Sequence, residues 1–167
     1  MHALTLLKND HARVKALLGQ LEAFGDGRPH ERERLFGRIR TELTVHEIIE
    51  EEIFYPALRA HPKATDIVLE GIEEHNVVDT LLGELSALPP EDETWPPKAK
   101  VMKENVEHHI GEEESEMFAA ARRVFDRSEL DDLGARMEER KASALKDVDR
   151  EATERDRPGG SGHAARS

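Results

Sequence analysis

Residues 35–58 read LFGRIRTELTVHEIIEEEIFYPAL. Leu35, Ile39, Leu43, Ile53 and Ala57 recur at helical spacing, and the stripe they draw also carries His46 and, one turn further on, Glu50. A half-buried strand would alternate apolar and polar residues; this run does not. Side chains three or four residues apart share one face of a helix, so an imidazole and a carboxylate are aimed at the same apolar partner surface. Burying such groups without a partner is unfavourable. The stretch therefore predicts a helix from about Glu31 to Leu58 with its inner side in the core of a bundle. His61-Pro62 stops it, because proline disfavours helix at the residue before it.

The pattern extends in both directions. Leu4, Leu7, Val14, Leu18 and Leu21 make a matching stripe that ends near Gly25-Asp26-Gly27, with Pro29 marking the turn. A third helix from about Ala64 to Leu88 carries Val68, Ile72, Val78, Leu82 and Leu85 and closes at Leu88-Pro89-Pro90. Beyond the connection over 91–97, Thr94 is the expected cap of a fourth helix that runs through Met102, Val106, Met117 and Ala120 to about Phe125. Ser128 is the expected N-cap of a fifth helix whose apolar positions, Leu130, Leu133, Met137 and Leu145, are sparse. The predicted fold is all-α: an up-down-up-down four-helix bundle over 1–127, an additional C-terminal helix over 128–156 and a disordered tail over 157–167.

Composition narrows the chemistry. The 167 residues include no cysteine, which excludes disulfides, iron–sulfur clusters and thiolate zinc sites and leaves only nitrogen and oxygen donors for any metal. Thirty-six acidic against 24 basic side chains give a net charge of −12, which argues against nucleic acid or an anionic membrane as partner. Met1–Asp10 lacks the apolar run of a secretory signal, and no later stretch is long and apolar enough to span a bilayer, so the expected location is cytoplasmic.

Nine histidines are present, and periodicity sorts them. His11 is in step with Leu4, Leu7, Val14 and Leu18; His46 with Leu35, Ile39 and Leu43; His75 with Val68, Ile72 and Val78; His109 with Met102 and Val106. His108 lies instead with Glu104, Glu112 and Ser115 on a polar face, and His2, His30, His61 and His163 read as surface or terminal. Depth sorts them again. His11 stands about 14 residues before the first turn and His46 about 15 after helix two begins, so both lie roughly 20 Å from that end. The pairs His46–His75 and His75–His109 match across the next two connections to within about one turn. Four inward histidines reach one layer, where Glu50 and Glu113 join them, each four residues after its histidine. A buried set of this kind suits iron, manganese or zinc.

The run Asn9-Asp10-His11, the motif His46-Glu47-Ile48-Ile49-Glu50 leading into Phe54-Tyr55-Pro56, the pair Glu74-His75, and His109-Ile110-Gly111-Glu112-Glu113 leading into Met117-Phe118 resemble the hemerythrin-like, HHE cation-binding family over about residues 2–125. The resemblance implies metal ligation by His11, His46, Glu50, His75, His109 and Glu113, with the two glutamates bridging. It implies two non-haem iron ions joined by an oxo or hydroxo bridge, with an open position for dioxygen, peroxide or nitric oxide. Oxygen-carrying hemerythrins have a second histidine where this chain has Asp79, and an aspartate where it has Glu114 beside Glu113. A carboxylate-richer site favours the ferric state and argues against reversible oxygen carriage. Glu47, Glu74, Asp79 and Glu114 are possible extra ligands or partners that orient a ligand; Glu51, Glu52, Glu112 and Glu116 read as a charged outer face, and Tyr55 as a cap of the bundle.

The function expected from these residues is binding of dioxygen, peroxide or nitric oxide at a di-iron centre for sensing, detoxification or iron handling. The alternatives are a peroxide-consuming, catalase-like enzyme at the same site and a metal-independent helical interaction module.

Overall fold

The computed structural model describes residues 1–24 and 27–157. Helix α1 spans Ala3–Phe24. Helix α2 is one rod of three segments: α-helical Pro29–Ile49, a π-helical turn over Glu50–Phe54, and α-helical Tyr55–Arg59. A short 3-10 turn, Pro62–Ala64, leads into α3, Thr65–Ala87. Helix α4 repeats the construction of α2, with α-helical Trp95–Glu112, a π-helical turn over Glu113–Met117, and α-helical Phe118–Val124. Helix α5 spans Arg127–Arg155. Short connections make the first four helices antiparallel neighbours. The expected tail falls almost wholly on 158–167, outside the described residues.

Both π-helical turns start on the glutamate that ends a His-x-x-x-Glu motif. Tyr55 N–H donates to Glu50 C=O and Phe118 N–H to Glu113 C=O, each five residues back rather than four. The wider turn inserts one residue, so every later position faces one residue out of step with the earlier stripe. Periodicity therefore places Ala57 and Ala120 inside, whereas Leu58 and Ala121 are the fully buried residues and Ala57 and Ala120 are half-buried. Single π-turns of this kind are a recurrent feature of functional sites.

The apolar core is divided. One cluster, with Leu7, Ile49, Phe54, Leu58, Val68 and Phe118, fills one end of the bundle; a second, with Leu18, Ile39, Leu43, Leu85, Met102 and Val106, fills the other. The polar layer predicted from the histidines lies between them. At the second end Trp95 donates its indole N–H to Leu85 C=O over 3.2 Å and carries the Arg32 guanidinium 4.9 Å above its ring.

Two cap expectations are corrected. Thr94 makes no cap bond; its hydroxyl donates to Asp92 Oδ1 over 2.5 Å. The cap of α5 is Asp126, not Ser128: Asp126 accepts from Glu129 N–H while Glu129 accepts from Asp126 N–H, a reciprocal capping box. Helix α5 lies against α1 and α2 through Leu130, Leu133, Gly134, Met137 and Ala144. Arg140 grips Glu52 at 2.6 and 3.0 Å, and the Met1 ammonium meets Glu138 at 2.9 Å.

At Gly134 the backbones meet so closely that a Cβ would lie 1.7 Å from Met1 C=O and 2.8 Å from Ala3 N. Gly134→Ala must lift the N-terminus off α5 or shift α5 itself. We expect destabilisation of about 1–3 kcal/mol, the usual range for overpacking, read as a lower melting temperature. An unchanged melting temperature would show that this approach is not needed.

Candidate metal centre

All six residues expected at the layer are brought together and buried: His11, His46, Glu50, His75, His109 and Glu113. Three factors put them there. The helical period turns each inward, the equal-depth register sets them level, and the apolar clusters above and below exclude water. The imidazoles pair across the layer, His11 Nε2 at 3.2 Å from His46 Nε2 and His75 Nε2 at 3.1 Å from His109 Nε2. Glu50 stands between the pairs with one oxygen on each side, Oε1 at 2.9 Å from His46 Nε2 and Oε2 at 3.1 Å from His75 Nε2. Glu113 Oε2 also meets both pairs, at 3.3 Å from His11 Nε2 and 3.4 Å from His109 Nε2. The donor atoms fall into two groups that share Glu50: His11, His46, Glu50 and Glu113, and Glu50, His75 and His109.

These atoms do not satisfy one another. All four carboxylate oxygens of Glu50 and Glu113 are buried without a hydrogen bond of acceptable geometry. Facing Nε2 atoms can share only one proton per pair. Two nitrogens about 2.0–2.1 Å from one cation stand roughly as far apart as these pairs do, so the orphaned donors fit metal ions.

Without metal, protons take the place of cations. Burial disfavours imidazolium, yet the charge of Glu50 beside Nε2 and the Asp10 carboxylate that accepts from Nδ1 outweigh it and carry His46 up to about 10. Burial likewise opposes charge at His75 and His109, where the carboxylates of Glu50 and Glu51, and of Glu113 and Glu74, lie against the ring nitrogens and carry each up to about 10, although the two facing nitrogens have room for only one inward proton at a time. Burial would raise Glu50, but His46 and His75 hold it well below the usual glutamate range.

The outward nitrogens show how the layer is held. His11 Nδ1 meets Glu114 at 2.9 Å, His46 Nδ1 meets Asp10 at 3.4 Å, His75 Nδ1 meets Glu51 at 2.8 Å and His109 Nδ1 meets Glu74 at 3.3 Å. Each helix thus supplies the acid for the next helix's histidine: α1 to α2, α2 to α3, α3 to α4, and α4 back to α1. Each acid adjoins an inward residue of its own helix, on the N-terminal side in α1 and α3 and on the C-terminal side in α2 and α4. Antiparallel neighbours reverse the sense of a one-residue step, so both choices turn the same way round the bundle. Carboxylates on Nδ1 fix which nitrogen faces inward and strengthen it as a donor.

Glu74 and Glu114, named as possible partners, join this ring. Asp79 does not; it is exposed and stands beside Glu47, whose carboxyl it helps to raise. Glu47 is buried beside the histidines but outside both donor groups. Glu51 was assigned to the outer face, yet its carboxylate holds His75. Tyr55 was assigned to capping; its hydroxyl lies 3.3 Å from His75 Nε2 and its ring stacks on that imidazole. Gly71 leaves room for the phenol, since a Cβ there would lie 3.1 Å from the oxygen. Asp10 and Lys141 were not singled out. The available signal was an acid adjoining each inward residue; for Lys141 there was none.

Lys141 brings α5 to the centre. Its ammonium pairs with Asp10, which is 2% exposed and holds His46. Burial would raise the Asp10 carboxyl, but His46 and Lys141 keep it below the usual aspartate range. Lys141→Met keeps the stem and removes the charge, leaving Asp10 with His46 and with Arg13 at 3.8 Å. Because Lys141 retains some solvent, we expect a loss of about 2–3 kcal/mol, below the 3–5 typical of a fully buried broken pair, measured by urea unfolding of metal-free protein.

Beside the four histidines is a cavity of about 20 Å³, also lined by Glu47 and by Val14, Leu43, Val78, Val106 and Ile110. It has room for one small molecule. Burial pushes the Glu47 carboxyl up to about 8 against the pull of His75.

Residues 2–121 match the family described as Hemerythrin HHE cation binding domain. The chain is 33% identical over 153 residues to a Mycobacterium tuberculosis protein named Uncharacterized protein Rv2633c, covering 87% of this chain and 91% of that one. It is 30% identical over 122 residues to a protein of Nostoc sp. named DNA nickase; the match covers 73% of this chain but 34% of that protein. Among solved structures, a Hemerythrin HHE cation binding domain-containing protein, the Rv2633c homolog from Mycobacterium kansasii, superposes with a TM-score of 0.76 at 31% identity, covering 89% of this chain and 93% of that one.

Proposed function

Because this chain belongs to the hemerythrin HHE cation-binding family, we propose that its buried layer holds two iron ions. His11 and His46 would gather one and His75 and His109 the other, with Glu50 and Glu113 between them as the bridging carboxylates. The orphaned oxygens of Glu50 and Glu113 carry this reading. A di-iron centre held there would supply electrons and an open position to dioxygen, peroxide or nitric oxide, and a cavity of about 20 Å³, room for one water-sized molecule, lies beside the four histidines. The Nδ1 ring of carboxylates holds the histidines in register, Tyr55 offers a hydroxyl at the His75 side, and the apolar walls keep bulk water out. A net charge of −12 leaves a nucleic-acid backbone an unfavourable partner. Protein expressed with iron is expected to contain about two irons per chain and to show the near-ultraviolet absorption of a bridged ferric pair. Folded protein that takes up no added iron would overturn the proposal.

Glu47 favours a second reading, consumption of peroxide. Two peroxide molecules yield two waters and one dioxygen, and cleavage of the O–O bond calls for a proton at the departing oxygen. Glu47, whose carboxyl burial raises and which lines the cavity, could give that proton and recover it from the second peroxide. Glu47→Gln is expected to lower oxygen evolution about 100-fold with iron content unchanged. Equal evolution by both proteins would remove Glu47 from this role.

A further inference from the structure

Helix α4 carries its histidine–glutamate spacing twice, one residue apart. His109 and Glu113 face inward; His108 and Glu112 face outward. His108 Nε2 lies 3.1 Å from Glu112 Oε1 and 3.8 Å from Glu74 Oε2, across on α3. Glu74 is the same carboxylate whose Oε1 holds buried His109 Nδ1 at 3.3 Å. It therefore has one oxygen in the ring around the buried layer and one at the surface. Among the four ring acids, Asp10 has its outer oxygen covered by Lys141. Glu74, by contrast, meets another potential donor.

We propose that Glu74, His108 and Glu112 form a third, solvent-facing site for a divalent cation, from which the buried pair is loaded; this rests on the buried pair being a metal centre. One nitrogen and two oxygens within 4.8 Å of one another can close on an ion with bonds of about 2.0–2.2 Å. No lysine or arginine among the described residues forms an ion pair with any of the three, so a hydrated cation meets two carboxylates without displacing a fixed positive charge. The remaining coordination positions face solvent, since His108 is 65% exposed. The buried ligands are closed off by the apolar clusters, and Glu74 spans the wall between the two sites. A shift of its carboxylate from His108 toward His109 carries a cation inward.

The test uses metal-free full-length protein and a double variant, His108→Ala with Glu112→Gln, which leaves Glu74 and the buried residues in place. Equilibrium dialysis against Co2+ is expected to give three ions per wild-type chain and two per variant chain. Rapid mixing with Fe2+ in air should give the same final near-ultraviolet absorbance for both, reached about tenfold more slowly by the variant. Two Co2+ ions in both proteins would overturn the third site and leave the buried centre standing. No Co2+ bound to either would overturn the buried centre itself. Three ions in the wild type with equal iron loading rates would keep the site and overturn its loading role.

Discussion

Glu50→Ala is expected to empty the centre and to weaken the fold at once. Glu50 is fully buried, and it alone presents a separate oxygen to each histidine pair. Without it, three imidazoles whose protonation the carboxylates sustain are left between two apolar clusters with Glu113 as the remaining inward anion. Removing one partner of a buried ionic set typically destabilises by about 3–5 kcal/mol. Metal affinity should fall by more than the 10- to 100-fold typical of losing a group that only orients a ligand. Metal analysis after gel filtration should drop from about two ions per chain to a trace. Glu50→Gln separates the two effects, because it preserves volume and an acceptor while removing the charge. It should regain part of the stability and none of the metal. If Glu50→Ala protein retains both ions, Glu50 is not a bridge.

The second large effect is on pH dependence, and its sign differs between metal-free and loaded protein. His46, His75 and His109 are raised from 6.5 to about 10 by their carboxylates. A basic group raised on folding contributes stability that is fully present below its unfolded value and is lost as pH rises through the folded one. Metal-free protein should therefore weaken between about pH 6.5 and 10. One shift of this size corresponds to about 5 kcal/mol; the three histidines share Glu50 and Glu113, and His75 and His109 hold only one proton between their facing nitrogens, so the total is several kcal/mol rather than three times that. Glu50 and Asp10 act in the opposite sense. Their depressed values give stability that is present above the ordinary carboxylate range and lost as pH falls through the lowered values. Metal displaces the histidine protons, so loaded protein has no such alkaline loss and its affinity for metal rises with pH. Chelator-treated protein should melt at a markedly lower temperature at about pH 9 than at about pH 6, and iron-loaded protein should not. Parallel pH profiles for the two forms would mean that protons and metal do not compete for the same nitrogens.

Much of this site was legible in the chain. Leu35, Ile39, Leu43 and His46 share a face by local geometry alone, and the same holds for His11, His75 and His109. Short connections then fix the depth at which each histidine meets its neighbours, so the level of the layer followed from counting residues. Periodicity failed at Ala57 and Ala120, because each lies beyond a π-helical turn that advances the stripe by one residue. Each turn opens at a glutamate of the layer, Glu50 or Glu113, and the apolar spacing before it does not announce it. Glu51 was misread for a related reason: an acid one step off the inward face looks solvent-exposed on an isolated helix, and only the adjoining helix supplies the histidine it holds.

By itself the sequence determined which helices form, which faces they bury and which histidines and glutamates lie on those faces, since each of these depends on residues within a few turns of one another. Tertiary structure decided which carboxylate holds which imidazole, how α5 reaches Asp10 through Lys141, and how Glu74 stands between a buried histidine and an exposed one. Those relations join residues up to 131 positions apart. No local period encodes them, because the direction from one helix to its neighbour exists only after the bundle has closed.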